Sequence, residues 1–426
     1  MQIILDFLVI ILSSIIALNT IIKIIKGNYS ALHFITIIFY IFQIIPIFVS
    51  YFGDLTYIKR YYPYMYLAMT DSKVNIVYDI IVTLFIVVLY ISANKFFKSS
   101  KNKIQEVLNA NIFKKLKKFK IILIILFISL FIAIMLSPDP KIYLKFSYFY
   151  THNYNVNDDI YIYYKSVISP LVNFIFFFII LCYAAKTKKS NLLFYLDVFI
   201  LTWINGKRTL LTFLLVGMLV IDFFKCDKSS KKEVKNLITK SITYGIIIIS
   251  YFVVYNKITQ KASFADWYLQ YTTYFSRMCN VKVAIYDMLK DKIMLKYYGE
   301  SILYNIFFFI PRSIWESKPY PYYRYFTSYV FNGSYNSMIG SSNFQVNLLS
   351  EFISNFGIVA GALFSLIFIL KVVKISENST NKIIYFSGIG FITIYMMYGF
   401  ENIVRYIFFI WVVLNICNFF FKRLKK

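Results

Sequence analysis

Of the 46 basic residues in this 426-residue chain only seven are arginine: Arg60, Arg208, Arg277, Arg312, Arg324, Arg405 and Arg423. A guanidinium keeps its charge in a partly dry site and presents a planar fork to phosphate or carboxylate, which an ammonium cannot do. The hydropathy pattern puts the first six on the outer side of a membrane, so the chemistry they suggest is the handling of an external anionic substrate. Arg312 stands in the densest setting, Phe309-Ile310-Pro311-Arg312-Ser313-Ile314-Trp315-Glu316-Ser317-Lys318-Pro319, followed by Arg324. Two prolines around two basic groups and a tryptophan predict a stiff basic ledge at the membrane surface, with Lys318 and Trp315 as further substrate contacts. Trp is also an ordinary interface residue, which makes an anchoring turn the competing reading. Asn205-Gly206-Lys207-Arg208 is a polar turn between apolar runs, and a turn alone needs no Lys-Arg. Arg405 falls inside the last apolar run, four residues after Glu401. That spacing either forms a self-neutralising pair or marks a site, since ionisable groups inside a span are costly. Arg277 lies in the same long connection as Arg312 and Arg324, whereas Arg60 is isolated in a tyrosine-rich loop.

A base is the other requirement. Glu351, in Ser350-Glu351-Phe352-Ile353-Ser354-Asn355-Phe356-Gly357, is expected one turn into an apolar span, where partial desolvation raises a carboxyl pKa. It is the first candidate for a general base, and His152 in Tyr150-Thr151-His152-Asn153 is the alternative. His33 is read as structural. No P-loop, G-x-G-x-x-G, H-E-x-x-H or G-x-S-x-G sequence occurs, so neither nucleotide coupling nor a resident metal or other cofactor is expected. Asp158-Asp159 has no second acidic cluster to complete a metal site, and the four cysteines show no CxxC spacing.

These residues must be positioned by membrane-spanning helices. With 59% hydrophobic and 21% aromatic residues the chain is too apolar for a soluble globule. Its net charge of +26 comes mainly from lysines flanking apolar runs on one side, which are orientation signals and not a nucleic-acid surface. At roughly 20 residues per span, about eleven spans are expected (ten to twelve). They fall near 3–25, 31–52, 74–95, 120–137, 166–185, 191–206, 208–224, 241–258, 344–370, 382–399 and 402–421. The basic stretches then fall inside if the amino terminus is external and the carboxy terminus cytoplasmic. This gives an N-terminal bundle over 1–258 with about eight helices, a large helical external loop over 259–343, and about three helices over 344–426. In the loop, 264–289 has the spacing of an amphipathic helix lying on a surface or over a cavity, and 302–310 reads as a re-entrant segment stopped by Pro311.

Gly206-Lys207-Arg208-Thr209-Leu210-Leu211, Ile310-Pro311-Arg312-Ser313-Ile314-Trp315 with Lys318-Pro319, and Glu351 through Gly357 leading into a span together resemble the O-antigen polymerase (Wzy) family of oligosaccharide repeat-unit polymerases. The resemblance implies an all-α polytopic membrane protein of GT-C type in the inner membrane of a bacterium. It implies transfer of a growing glycan from a polyprenyl pyrophosphate donor to a lipid-linked repeat-unit acceptor, without metal or nucleotide. In that scheme Arg208 and Arg312 act with Glu351, while Arg277, Arg324, Arg405, Lys318, Trp315, Glu401 and His152 contact substrate. Partners would be the lipid-linked oligosaccharides, membrane lipids and, as a candidate, a chain-length regulator, with no nucleic acid. A lipid-linked oligosaccharide flippase, a glycan ligase and a single-sugar GT-C transferase stay open as alternatives.

Overall fold

The computed structural model describes residues 2–26, 30–95, 119–145, 159–184, 192–205, 208–226, 231–259, 267–290, 293–334 and 344–379, with 384, 391, 395, 398–405 and 407–408 beyond them. Every regular element among the described residues is helical. Four of these helices are long and apolar enough to cross a membrane: α1 (Gln2–Ile25), α2 (Ala31–Ser50) and two introduced below, Ser72–Lys95 and Ile358–Asn378. α1 shows why such a sequence suits lipid. Its buried stripe is Val9, Ser13, Ile16, Ala17, Thr20 and Ile24, partly small residues that let a neighbour approach, while Ile4, Phe7, Leu8, Ile11 and Leu18 face outward.

The chain forms two compact units, Met1–Ser99 with Ala265–Lys426, and Ser100–Phe264. The described part of the long connection, 267–290 and 293–334, falls in the same unit as the first three spans.

In the first unit α1, α2 and the later span pack together. α2 contains a π turn at Tyr40–Ile44, followed by Pro46. Proline has no N–H for the carbonyl four residues back, so the carbonyl of Phe42 is released, and it accepts from the backbone N–H of Arg277 at 3.0 Å. His33 has the structural role expected, its Nδ1 accepting from the backbone N–H of Ser30 at 2.9 Å. The tyrosine-rich stretch after α2 folds as α3 (Thr56–Tyr61) and α4 (Pro63–Thr70), followed by the span α5 (Ser72–Lys95).

The single amphipathic helix expected over 264–289, on a surface or over a cavity, is interrupted at Ser276 and Arg277. Its second half is α6 (Met278–Leu289), in which Met278 through Ile285 and Asp287 are all buried; it packs against α4, α5 and a helix of the C-terminal part. Periodicity alone does not tell a surface helix from one covered on several sides. α7 (Glu300–Ile306) ends in turns that leave Phe309 66% and Ile314 78% exposed, an apolar edge of the kind expected of a re-entrant segment, although the helix stops before Pro311. α8 (Tyr322–Asn332) lies against α4.

The span expected over 344–370 is two helices. α9 (Leu348–Phe356) starts at Asn347, whose side chain accepts from the N–H of Ser350 at 2.8 Å, and ends at Gly357. Gly357 has φ 84 and ψ 170, a conformation essentially restricted to glycine. The spanning helix is the following α10 (Ile358–Asn378). Glu351 thus lies in a buried helix that precedes the span and packs against α6, α7 and α10.

In the second unit, helices Phe119–Met135, Ser169–Ala184, Leu192–Asn205, Arg208–Lys225 and Lys231–Thr259 coincide with five expected spans, the last starting ten residues early. Asp222 ties three of them together, pairing with Lys240 at 2.6 Å and accepting from Tyr183 Oη at 2.8 Å. The expected spans 382–399 and 402–421 lie largely outside the described residues.

Candidate functional site

Two carboxylates of the first unit organise the region, and their surroundings differ. Glu351 is 1% exposed on α9. Its Oε1 accepts from Ser301 Oγ at 3.0 Å and from Asn305 Nδ2 at 2.8 Å, both on α7, and its Oε2 accepts from the backbone N–H of Phe400 at 2.7 Å. Asn355, one turn along α9, donates to Ser301 Oγ at 2.8 Å and to the Glu351 carbonyl at 2.6 Å. A Cβ at Gly399 would stand 2.7 Å from Glu351 Oε2, so the absence of a side chain there lets the 398–401 turn close on the carboxylate. Burial pushes the Glu351 carboxyl up to about 7, against the downward pull of the Phe400 N–H, Ser301 and Asn305 hydrogen bonds. Both oxygens are occupied, and among the described residues no cation pairs with it.

Glu401 is also buried, 5% exposed, where the turn enters the helical residues 400–405. Its Oε1 pairs with Arg405 Nη2 and accepts from Tyr304 Oη at 3.5 Å, while Arg405 Nη2 also donates to Tyr304 Oη at 3.3 Å. Arg324 and Lys318 act on Glu401 electrostatically. Its Oε2 is buried and has no hydrogen-bond partner among the described residues.

The basic ledge exists, but two of its cations hold it together. Arg312 donates through Nη1 to the carbonyl of Lys318 at 2.6 Å and through Nη2 to that of Pro319 at 2.7 Å, with its guanidinium 3.9 Å from the centroid of Tyr320. Lys318, 5% exposed, donates to the carbonyls of Phe308 at 2.9 Å and Ile310 at 2.7 Å and lies over the ring of Tyr304. The loop after α7 is therefore cross-tied by the two side chains expected to meet substrate. Trp315 donates to Ser317 Oγ at 3.0 Å and meets Phe307 edge to face, as an anchor would. The guanidinium of Arg324, at the start of α8, rests 5.3 Å from the Tyr320 centroid and makes no hydrogen bond among the described residues, so its fork is open.

Arg277 is fully buried, donating to Gln345 Oε1 at 2.8 Å and to the Ser276 carbonyl at 3.2 Å, with Nε unpartnered among the described residues. Burial lowers its pKa to about 10, with Tyr398 opposing, so it keeps its charge at neutral pH. Tyr398 at one end of the 398–401 turn thus acts electrostatically on Arg277, Glu351 binds the N–H of Phe400, and Lys318 acts electrostatically on Glu401 at the far end. Arg312, Arg324 and Arg405 group with Tyr304, Tyr320 and Glu401, and none of the three pairs with Glu351. Arg208 opens a helix of the second unit and its side chain is not described; His152 lies outside the described residues. No group of three metal-binding side chains occurs among the described residues.

Sequence reasoning missed Ser301, Asn305, Tyr304 and Tyr320, which are ordinary polar residues until the fold brings them together. It also missed a second polar cluster in the same unit. Gln2 Nε2 donates to Asp6 at 2.7 Å and to Asp79 at 3.0 Å, Tyr51 donates to Asp6, and Lys282 lies over the Tyr78 ring at 5.1 Å. Acids inside two apolar spans were the signal that could have found it.

No family model matches the chain, and no curated protein and no solved structure is significantly similar to it.

Proposed function

We propose that this chain is a membrane glycosyltransferase of the repeat-unit polymerase type, extending lipid-linked oligosaccharides on the outer face of a bacterial plasma membrane. The reading includes about eleven spans in a GT-C-like arrangement, an external amino terminus and a cytoplasmic carboxy terminus. The observation that carries it is the grouping of Arg324, Arg405, Arg312 and Lys318 with Tyr304, Tyr320 and Glu401, next to the exposed apolar edge at Phe309 and Ile314. A lipid pyrophosphate needs both halves of that surface, cations for its head and an apolar rim for its chain.

In this reading Arg324 and Arg405 take the pyrophosphate, and Arg312 and Lys318 keep the ledge in shape. One guanidinium–phosphate contact near a surface is worth on the order of 4 kcal/mol of Coulomb energy at an effective dielectric of 20, before desolvation is subtracted. Two or three such contacts stabilise charge on the leaving group as the glycosidic bond breaks, without a metal. Tyr304, Tyr320 and Trp315 supply ring faces and hydrogen-bonding groups for sugars. Arg208 has no part in this assignment.

Purified protein incubated with a polyprenyl pyrophosphate-linked oligosaccharide tests the reading. A ladder of lipid-linked products differing by one repeat unit is expected. A single added unit would instead indicate a ligase or single-sugar transferase, and unaltered lipid together with its movement across a vesicle membrane would indicate a flippase.

A further inference from the structure

Within the glycosyl-transfer reading, the two buried carboxylates of this unit divide one task. We propose that Glu401 is the base that receives the acceptor proton and that Glu351 is a positioning residue acting through the 399–401 turn.

The two carboxylates differ in which oxygens are available. Glu351 accepts from Ser301, Asn305 and the Phe400 N–H, so a substrate hydroxyl would have to displace a donor already aligned on a helix or a turn. Glu401 is held on one side only. Arg405 and Tyr304 fix Oε1, and Oε2 is buried with no partner among the described residues. A buried acceptor without a donor is unfavourable, and a ligand that brings a hydroxyl relieves that cost. The groups facing Glu401 are Arg405 on its own helical turn, Tyr304 on α7, Lys318 on the ledge, Arg324 on α8 and, behind the Phe400 N–H, Glu351. Four of these five are cationic or hydroxylic, which suits a carboxylate whose neighbour is an anionic leaving group. Glu351 meanwhile fixes the chain at Phe400, the residue before Glu401, and sets where that side chain starts.

The acceptor sugar oxygen attacks the anomeric carbon of the donor, forming the new glycosidic C–O bond. The anomeric carbon–pyrophosphate oxygen bond breaks, and its electron pair leaves with the lipid pyrophosphate near Arg324 and Arg405. The acceptor hydroxyl proton passes to Glu401 Oε2 and from there to solvent. No bond changes at Glu351.

The test is the pH dependence of kcat and KM for full-length Glu401→Gln and Glu351→Gln with a polyprenyl pyrophosphate-linked oligosaccharide as both donor and acceptor. Glu401→Gln is expected to lower kcat about 10²-fold or more, with KM within about threefold, and to remove the rise of rate with pH. Glu351→Gln is expected to keep that rise, with kcat within about tenfold of the parent. Should Glu351→Gln fail to fold, Ser301→Ala withdraws one donor from Glu351 and is expected to give the same retained limb; Glu401→Asp keeps an acid at 401 and is expected to restore the limb at reduced kcat. Glu401→Gln within tenfold of the parent, or loss of the limb in Glu351→Gln with retention in Glu401→Gln, overturns the assignment. A parent protein that forms no glycosidic product overturns the polymerase reading itself, and the assignment with it.

Discussion

Glu351 and Glu401 lie on either side of one turn, are both almost fully buried, and differ in what holds them. Glu351 joins α7, α9 and the 398–401 turn through three donors, whereas Glu401 shares one oxygen with Arg405 and Tyr304 and leaves the other open. The same division runs through the basic side chains. Arg312 and Lys318 donate to backbone carbonyls of their own loop, while the Arg324 guanidinium, on the same tyrosine ring as Arg312, donates to nothing among the described residues. Burial and residue type do not separate a structural from an acting side chain here; the remaining hydrogen-bonding capacity does.

The comparison can be broken at Gly399. Alanine there would place its Cβ 2.7 Å from Glu351 Oε2 and 2.9 Å from Val346 Cγ2, so the turn must move. A loss of about 1–3 kcal/mol is expected, read as a lower melting temperature in detergent together with loss of product formation. The next effect is a pH dependence. The Glu351 carboxyl stands at about 7 when folded against an ordinary value near 4.5, so the folded state binds the proton more tightly. Its contribution is fully present below about 4.5 and is lost as pH rises to about 7, a decline on the order of 3 kcal/mol. Melting temperatures between pH 5 and pH 8 should fall in the parent protein and fall less in Glu351→Gln.

The arginines sharpen the contrast on a smaller scale. Arg312→Ala removes two ties of a charged group to carbonyls and is expected to cost about 1–2 kcal/mol, with faster proteolysis of the 307–320 loop. Arg324→Ala is expected to change stability by less than about 0.5 kcal/mol while weakening binding of the lipid pyrophosphate-linked substrate, measured by titration. Equal losses of stability in the two variants would remove the distinction drawn between them.

Part of this was legible in the sequence. The spans α1, α2 and α5 follow from continuous apolar runs, and their bounds lie within two residues of the expected ones. The break at Gly357 was not seen because 344–370 reads as one apolar run; Ser350, Glu351, Ser354 and Asn355 just before that glycine were the available sign of a helix with a polar, buried face. The covered state of α6 depends on α4, α5 and α9 arriving around it, which no local period encodes. The ties of Arg312 and Lys318 to the carbonyls of Phe308, Ile310, Lys318 and Pro319 are not legible in the sequence, since carbonyls carry no signature in side-chain types. The Glu401–Arg405 pair was recognised from its spacing, whereas the open oxygen of Glu401 becomes visible only once Tyr304 and the turn are in place.

The central claim is that the two carboxylates hold the molecule together unequally, and thermal melting of Glu351→Ala beside Glu401→Ala tests it without any substrate. Removing Glu351 leaves Ser301, Asn305 and the Phe400 N–H buried without their acceptor, a loss of about 3 kcal/mol or more. Removing Glu401 breaks one ion pair to a half-exposed arginine and relieves an open buried oxygen, a change of less than about 1 kcal/mol. A large drop in melting temperature for Glu351→Ala with little change for Glu401→Ala is the expected result; equal drops, or a larger one for Glu401→Ala, would contradict the account.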